Sequence, residues 1–137
     1  MRIRVATRGS ALALWQANRV SSLLTRTLPG VEVEIVTVET TGDRDQTTPL
    51  EQMGGLGVFV KEVQAAVLDG RADLAVHSAK DLPGGQTDGL ALAAVPERAD
   101  PRDVLVGCRL TSLPEGATVA TGSIRRRAHL ANHRPDL

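Results

Sequence analysis

The sequence predicts an α/β fold with a mixed, mostly parallel sheet, and three observations carry that prediction. Short apolar stretches of strand length alternate along the chain with longer stretches whose apolar residues recur at three- and four-residue spacing. The boundaries between them carry glycine, proline, serine and aspartate, the residues that cap helices and turn chains. The length of 137 residues suits one ordinary domain, or one domain and part of another. Strands alternating with helices favour parallel pairing, because each crossover needs a connection of helix size.

The first strand is Ile3 to Thr7, and Ser10 is placed to cap a helix with Leu12, Trp15, Val20, Leu23 and Leu24 on one face. Pro29 and Gly30 stop that helix, and strict alternation from Val31 to Val38 reads as a half-exposed strand. The polar, glycine-rich run from Glu39 to Gly57 is long for a loop in a compact domain. A second helix is expected from near Gly57, with Phe59, Val63, Ala66 and Val67 inward and Asp69-Gly70 at its end. Ala72 to Ser78 reads as a third strand, and Leu90–Val95 and Asp103–Gly107 as two more, separated by a charged turn that is the best candidate domain boundary. A last unit comes after them, with Ala117 to Ser123 as strand and loop and Ile124 to His133 as helix. A lone strand-helix unit leaves an open edge, so the chain is expected to be truncated or completed by another polypeptide.

Composition narrows the function. Apolar residues make up 42% and charged residues 23%, which suits a globular protein, and Trp15 and Phe59 are the only aromatics. Lysine plus arginine and aspartate plus glutamate number 16 each, so no global electrostatic grip on nucleic acid is expected. Cys108 is alone and cannot form an intramolecular disulfide. With no secretory leader visible, this points to the reducing cytoplasm. The longest apolar runs are too short to span a bilayer, so no membrane partner is expected.

Ligands of open α/β sheets bind outside the carboxyl ends of the strands, so the residues just past each strand are the ones to collect. They are Arg8 and Ser10 after the first, Ser78, Lys80 and Asp81 after the third, and Thr121, Ser123 and Arg125 to Arg127 after the strand near Val119. Hydroxyls and cations in this number suit a ligand rich in carboxylates or phosphates. Each piece also has a plainer reading. Arg8 and Ser10 suit a solvated turn and a helix cap, and the arginine run suits the exposed face of a capped helix. Asp81 is either an ion-pair partner for Lys80 or Arg8, or a stabiliser of positive charge that develops on a ligand. His77 suits a packed or hydrogen-bonded strand end better than a metal ligand, and His129 with His133 lacks the further ligands of a metal site, so none is expected. The run Met53 to Glu62 has G-x-G without the third glycine or a preceding strand, so it is no dinucleotide fingerprint. Cys108 has no neighbouring base and is a poor nucleophile.

Five segments together, "ATRGSALALWQA", "GGLGVFVKE", "ADLAVHSAKDLP", "ERADPRDVLV" and "ATGSIRRRAHL", resemble the porphobilinogen deaminase (hydroxymethylbilane synthase) family, in order and over the whole chain. The resemblance implies a cytoplasmic, monomeric transferase of tetrapyrrole biosynthesis, which joins four porphobilinogen molecules head to tail and releases ammonia at each addition. It also implies a periplasmic-binding-protein-like (type II) fold. Residues 1–98 would form domain 1, a wall of the active-site cleft, and 99–137 the hinge and truncated start of a similar second domain. The third domain, absent here, would carry a dipyrromethane cofactor on a cysteine that is not Cys108.

By the same resemblance Asp81 is the catalytic aspartate, contacting pyrrole N–H groups and steadying the azafulvene-type cation formed as ammonia leaves. Ser78, Lys80, Thr121, Ser123, Arg125 and Arg126 are expected to bind the cofactor, and Arg8, Ser10, Gln16 and Lys61 the substrate and growing polypyrrole. Two departures stand out. Leu56 occupies a position where many members carry lysine, and Gly122 replaces a hydroxyl residue. The remaining alternative is a non-catalytic anion-binding module of the periplasmic-binding-protein type. The chain alone is expected to be inactive.

Overall fold

A computed structural model describes residues 1–44, 59–85 and 87–137. Strand β1 (Arg2–Thr7) lies between β2 (Glu32–Thr37) and β3 (Leu74–Ala75), and both pairings are parallel, giving the order β2-β1-β3. The register sets Val36, Ala6 and Ala75 in one row across the sheet. That row packs against Val63 and Ala66 of helix α3 (Lys61–Leu68), together with Val38 and Ala72. Alternate strand residues face opposite sides. Thr7 therefore turns to the other face, where its hydroxyl donates to the Ala13 carbonyl of helix α1 (Ala11–Thr27) at 3.3 Å. The two helices thus cover opposite faces, and the alanines at positions 6, 66, 72 and 75 let α3 approach the sheet closely.

The first helix begins where expected. Ser10 is extended and its hydroxyl accepts from the Ala13 amide, so it caps α1. The buried stripe of this helix differs from the expected one, because Leu12 and Trp15 are mostly exposed while Ala17 is fully buried. The Thr7–Ala13 bond turns the Ala13–Ala17 side of the helix inward.

Helix α3 ends in a Schellman motif: the Arg71 amide donates to the Ala66 carbonyl at 2.9 Å and the Gly70 amide to that of Val67 at 3.0 Å. Gly70 has φ +71°, a left-handed conformation that costs a side chain roughly 1 kcal/mol or more. The chain then runs straight into β3. Only Leu74 and Ala75 pair as strand, not the whole of 72–78. Asp73 is the reason at the near end: its carboxylate, not a ladder carbonyl, receives the Arg4 amide at 2.7 Å and also binds the Arg4 guanidinium.

The expected strands at Leu90–Val95, Asp103–Gly107 and near Val119 are not formed. A strand needs a neighbour for its N–H and C=O groups, and no described strand pairs with these segments. Several of their apolar residues stay outside, Val104 at 84% and Val106 at 91% exposure, while Leu90, Leu105 and Val119 are half-buried.

The chain forms two compact units, Met1–Pro96 and Glu97–Leu137. The second has no buried residue and is held by polar bonds around one side chain. Arg134, which ends helix α4 (Ile124–His133), pairs with Asp136 and donates to the carbonyls of Leu110, Leu113 and Pro114. A short helix α2 (Thr41–Arg44) comes after β2 in the first unit. The expected start of α3 near Gly57, most of the long loop, and Leu56 lie outside the described residues. No described helix is long and apolar enough to cross a membrane.

The Arg4 side chain, by hydrogen bonding, holds the Asp73 carboxyl down at about 2 from its usual 3.8. A depressed carboxyl stabilises the folded state above its ordinary value and loses that contribution as pH falls through the folded one. Asp73→Asn is therefore less stable than the parent above pH 3.8, and the gap narrows as pH approaches 2. Urea unfolding across that range measures it.

Candidate active site

All three strands run parallel, so their carboxyl ends share one edge, and a cleft of about 250 Å³ opens there. The turn after β1 contributes Arg8 and Ser10, α1 contributes Leu12, Ala13 and Gln16, and the segment after β3 contributes Val76 to Ser78, Lys80 and Asp81. Phe59 forms the remaining wall.

Lys80 and Asp81 sit on one 3-10 turn, Ala79–Asp81, closed by the Asp81 amide donating to the Ser78 carbonyl at 2.9 Å. Lys80 is exposed and Asp81 half-buried. Among the described residues neither makes an ion pair within 4.0 Å. The plainer reading of Asp81, a salt-bridge partner for Lys80 or Arg8, is thus not the arrangement formed. Ser78 and the Gln16 amide are hydrogen-bonded at 2.9–3.0 Å, which ties α1 to the segment after β3.

Arg8 is taken from both sides. Its Nε donates to both Asp43 carboxylate oxygens at 3.1 and 3.2 Å, Nη2 makes a shorter bond to Oδ1, and the guanidinium lies 4.0 Å from the centre of the Phe59 ring. Asp43 is itself in a capping box: its carboxylate receives the Thr40 amide and hydroxyl, and its amide donates to the Thr40 hydroxyl. Arg8 first, then the Thr40 bonds, holds the Asp43 carboxyl below its usual 3.8 against the opposing effect of burial. Asp43 and Thr40 escaped the sequence reading, although T-x-x-D at 40–43 is a helix-start signature that exposes them. Phe59 was assigned only to a helix face.

His77 lines the same cleft, and its Nε2 is buried without a partner, so it is packed but not hydrogen-bonded there. Burial lowers its pKa, Asp81 opposes the shift and Arg8 adds to it. The imidazole is therefore neutral near pH 7.

Lys61 opens α3, is exposed, and is not among the residues lining the cleft. Within the second unit, Ser123 caps α4 by accepting from the Arg126 amide, and the Thr121 hydroxyl accepts from the Ser123 amide. Arg126 pairs with Asp103 at 2.7 Å and Arg125 is exposed.

A family model described as porphobilinogen deaminase, dipyromethane cofactor binding domain, matches residues 3–137. The chain belongs to the porphobilinogen deaminase family. It is also 49% identical over 138 residues to the porphobilinogen deaminase of Geobacter sulfurreducens, a match that covers 99% of the chain and 43% of that relative. The chain therefore spans less than half the length of the curated family member it matches.

Gly42 is where the Arg8 stack is most exposed to damage. A Cβ there would collide with Cε1 of Phe59, so Gly42→Ala has to displace the ring. In that variant the Arg8 side-chain protons lose the upfield NMR shift that an aromatic face gives them, and the parent retains it.

Proposed function

We propose that this chain forms part of a hydroxymethylbilane synthase, which condenses four porphobilinogen molecules head to tail with release of ammonia. The observation that carries the reading is the placing of Lys80 and Asp81 on one turn of a cleft that also holds Ser78, Gln16 and Arg8. Porphobilinogen offers matching chemistry: two carboxylates, a ring N–H donor and an aminomethyl leaving group.

Lys80 supplies an exposed cation for a ligand carboxylate, and the Gln16–Ser78 pair supplies neutral polar groups beside it. Asp81 accepts hydrogen bonds from ring N–H groups. As the carbon–nitrogen bond of the protonated aminomethyl group breaks, its electron pair leaves with ammonia and the positive charge passes to the ring system. A half-buried carboxylate held by a closed turn stabilises that cation with little reorganisation. His77, neutral beside it, adds no competing charge.

The donor set fits a dipyrromethane cofactor, whose rings carry acetate and propionate groups. Ser78, Lys80, Thr121, Ser123, Arg125 and Arg126 are the residues we assign to it, on the family resemblance. Arg126 would exchange Asp103 for a cofactor carboxylate. The cofactor supplies the pyrrole carbon to which the first substrate unit is joined. We place its attachment on a cysteine outside these 137 residues, since Cys108 is exposed and belongs to another motif. Arg8, Ser10 and Gln16 serve the substrate side, and Lys61 acts near it. The all-parallel β2-β1-β3 core is consistent with a type II periplasmic-binding-protein-like domain over 1–98, continued by a hinge and the start of a second such domain. We read the whole enzyme as a cytoplasmic monomer.

In the whole protein, Asp81→Ala should lower the rate of ammonia release from porphobilinogen by roughly 10²–10³. Its circular dichroism should match the parent's. Full activity in a folded Asp81→Ala enzyme removes the assigned role. Binding of porphobilinogen by the parent with no ammonia released favours the non-catalytic anion-binding reading.

A further inference from the structure

We propose that Asp43 is a positioning residue for Arg8, holding one edge of its guanidinium so that Nη1 is the donor presented to a substrate carboxylate. The inference rests on the reading of Arg8 as a substrate-side residue and adds what sets its geometry.

Two side chains fix the guanidinium before any ligand arrives. The Nε and Nη2 edge is taken by the Asp43 carboxylate, and one face lies over the Phe59 ring. Nη1 has no hydrogen-bond partner among the described residues, and Arg8 lines the cleft. An unrestrained arginine samples many rotamers and loses that freedom when it binds; here the loss has already occurred on folding.

Asp43 can serve as the holder because it is held in turn. Its Oδ2 receives the Thr40 hydroxyl at 2.8 Å and the Thr40 amide at 3.2 Å, and Thr40 is fully buried. The carboxylate is thus part of the start of α2 and not a mobile counter-ion waiting to be displaced. The pairing also cancels the charge of Arg8. Arg8 therefore contributes orientation through one hydrogen bond, whereas Lys80, which makes no ion pair among the described residues, contributes positive charge to the cleft wall.

The test is steady-state kinetics of the whole protein with porphobilinogen, comparing Asp43→Asn alone with Asp43→Asn in an Arg8→Ala background. Asp43→Asn should raise KM about tenfold, the effect of losing one well-placed bond to a charged group. The change in kcat should stay within about twofold, as expected for lost uniform binding. With Arg8 already removed, the same substitution should change KM by less than about twofold, because the coupling runs through Arg8. An equal rise in both backgrounds overturns the inference, and so does an unchanged or lowered KM in Asp43→Asn. If Arg8→Ala alone leaves KM unchanged, the substrate-side reading of Arg8 fails and takes the inference with it. If Arg8→Ala raises KM while Asp43→Asn does not, only the inference fails. Should Asp43→Asn not fold, Thr40→Val carries the test, since it removes the hydroxyl that anchors the same carboxylate. It should raise KM about threefold only while Arg8 is present, and no rise overturns the inference.

Discussion

The burial of β1 on both faces governs the rest of this structure. Val5, Ala6 and Thr7 are wholly inaccessible to solvent, and strands pair with β1 on both edges. A strand in that position cannot slip by one residue without exchanging the faces that α1 and α3 cover. The register therefore fixes where β1 ends, and Arg8 and Ser10 emerge at that end. Parallel pairing brings the end of β3 alongside, so His77, Ser78, Lys80 and Asp81 reach the same crevice from a distant part of the chain. The cleft is a consequence of the topology.

Within the cleft, charge is arranged unevenly. Arg8 is neutralised by Asp43 and stacked on Phe59, whereas Lys80 and Asp81 make no ion pair among the described residues. A surface ion pair between adjacent Lys and Asp side chains would contribute little to stability, so leaving them apart costs the fold little. On the proposed reading, it leaves a cation for an anionic ligand and a carboxylate for a developing cation. The side chains that are held most firmly, Arg8, Gln16 and Ser78, are the ones suited to orient a ligand. The reaction proposed above for this member of the porphobilinogen deaminase family calls on both functions.

Local signals were the legible part of the sequence. Ser10 and Ser123 cap helices as their positions imply, and α4 spans Ile124 to His133 as its pattern implies, because caps and helical hydrogen bonds close within a few residues. Arg8, Ser10, Ser78, Lys80 and Asp81 were likewise legible from their positions just past a strand, while Gln16 came from the family resemblance. Pairing was not legible. Leu90–Val95 and Asp103–Gly107 have strand-like composition, yet a strand exists only with a neighbour, and no residue pattern states whether one is present. The shortening of β3 was hidden for a related reason: Asp73 replaces a ladder acceptor with its side chain, and Arg4, 69 residues away, completes the exchange. Asp43 was missed although its capping-box spacing was in view, because its partner Arg8 lies 35 positions earlier.

On this reading, ligand recognition in the first unit occurs at the carboxyl ends of β1 and β3. Hydrogen exchange of the whole protein, with and without porphobilinogen, tests it most directly. Ligand should slow exchange in peptides covering residues 8–16 and 76–82, while the amino-terminal ends of the strands near Arg2 and Glu32 stay unchanged. Protection confined to those opposite ends, with none at 76–82, would contradict it.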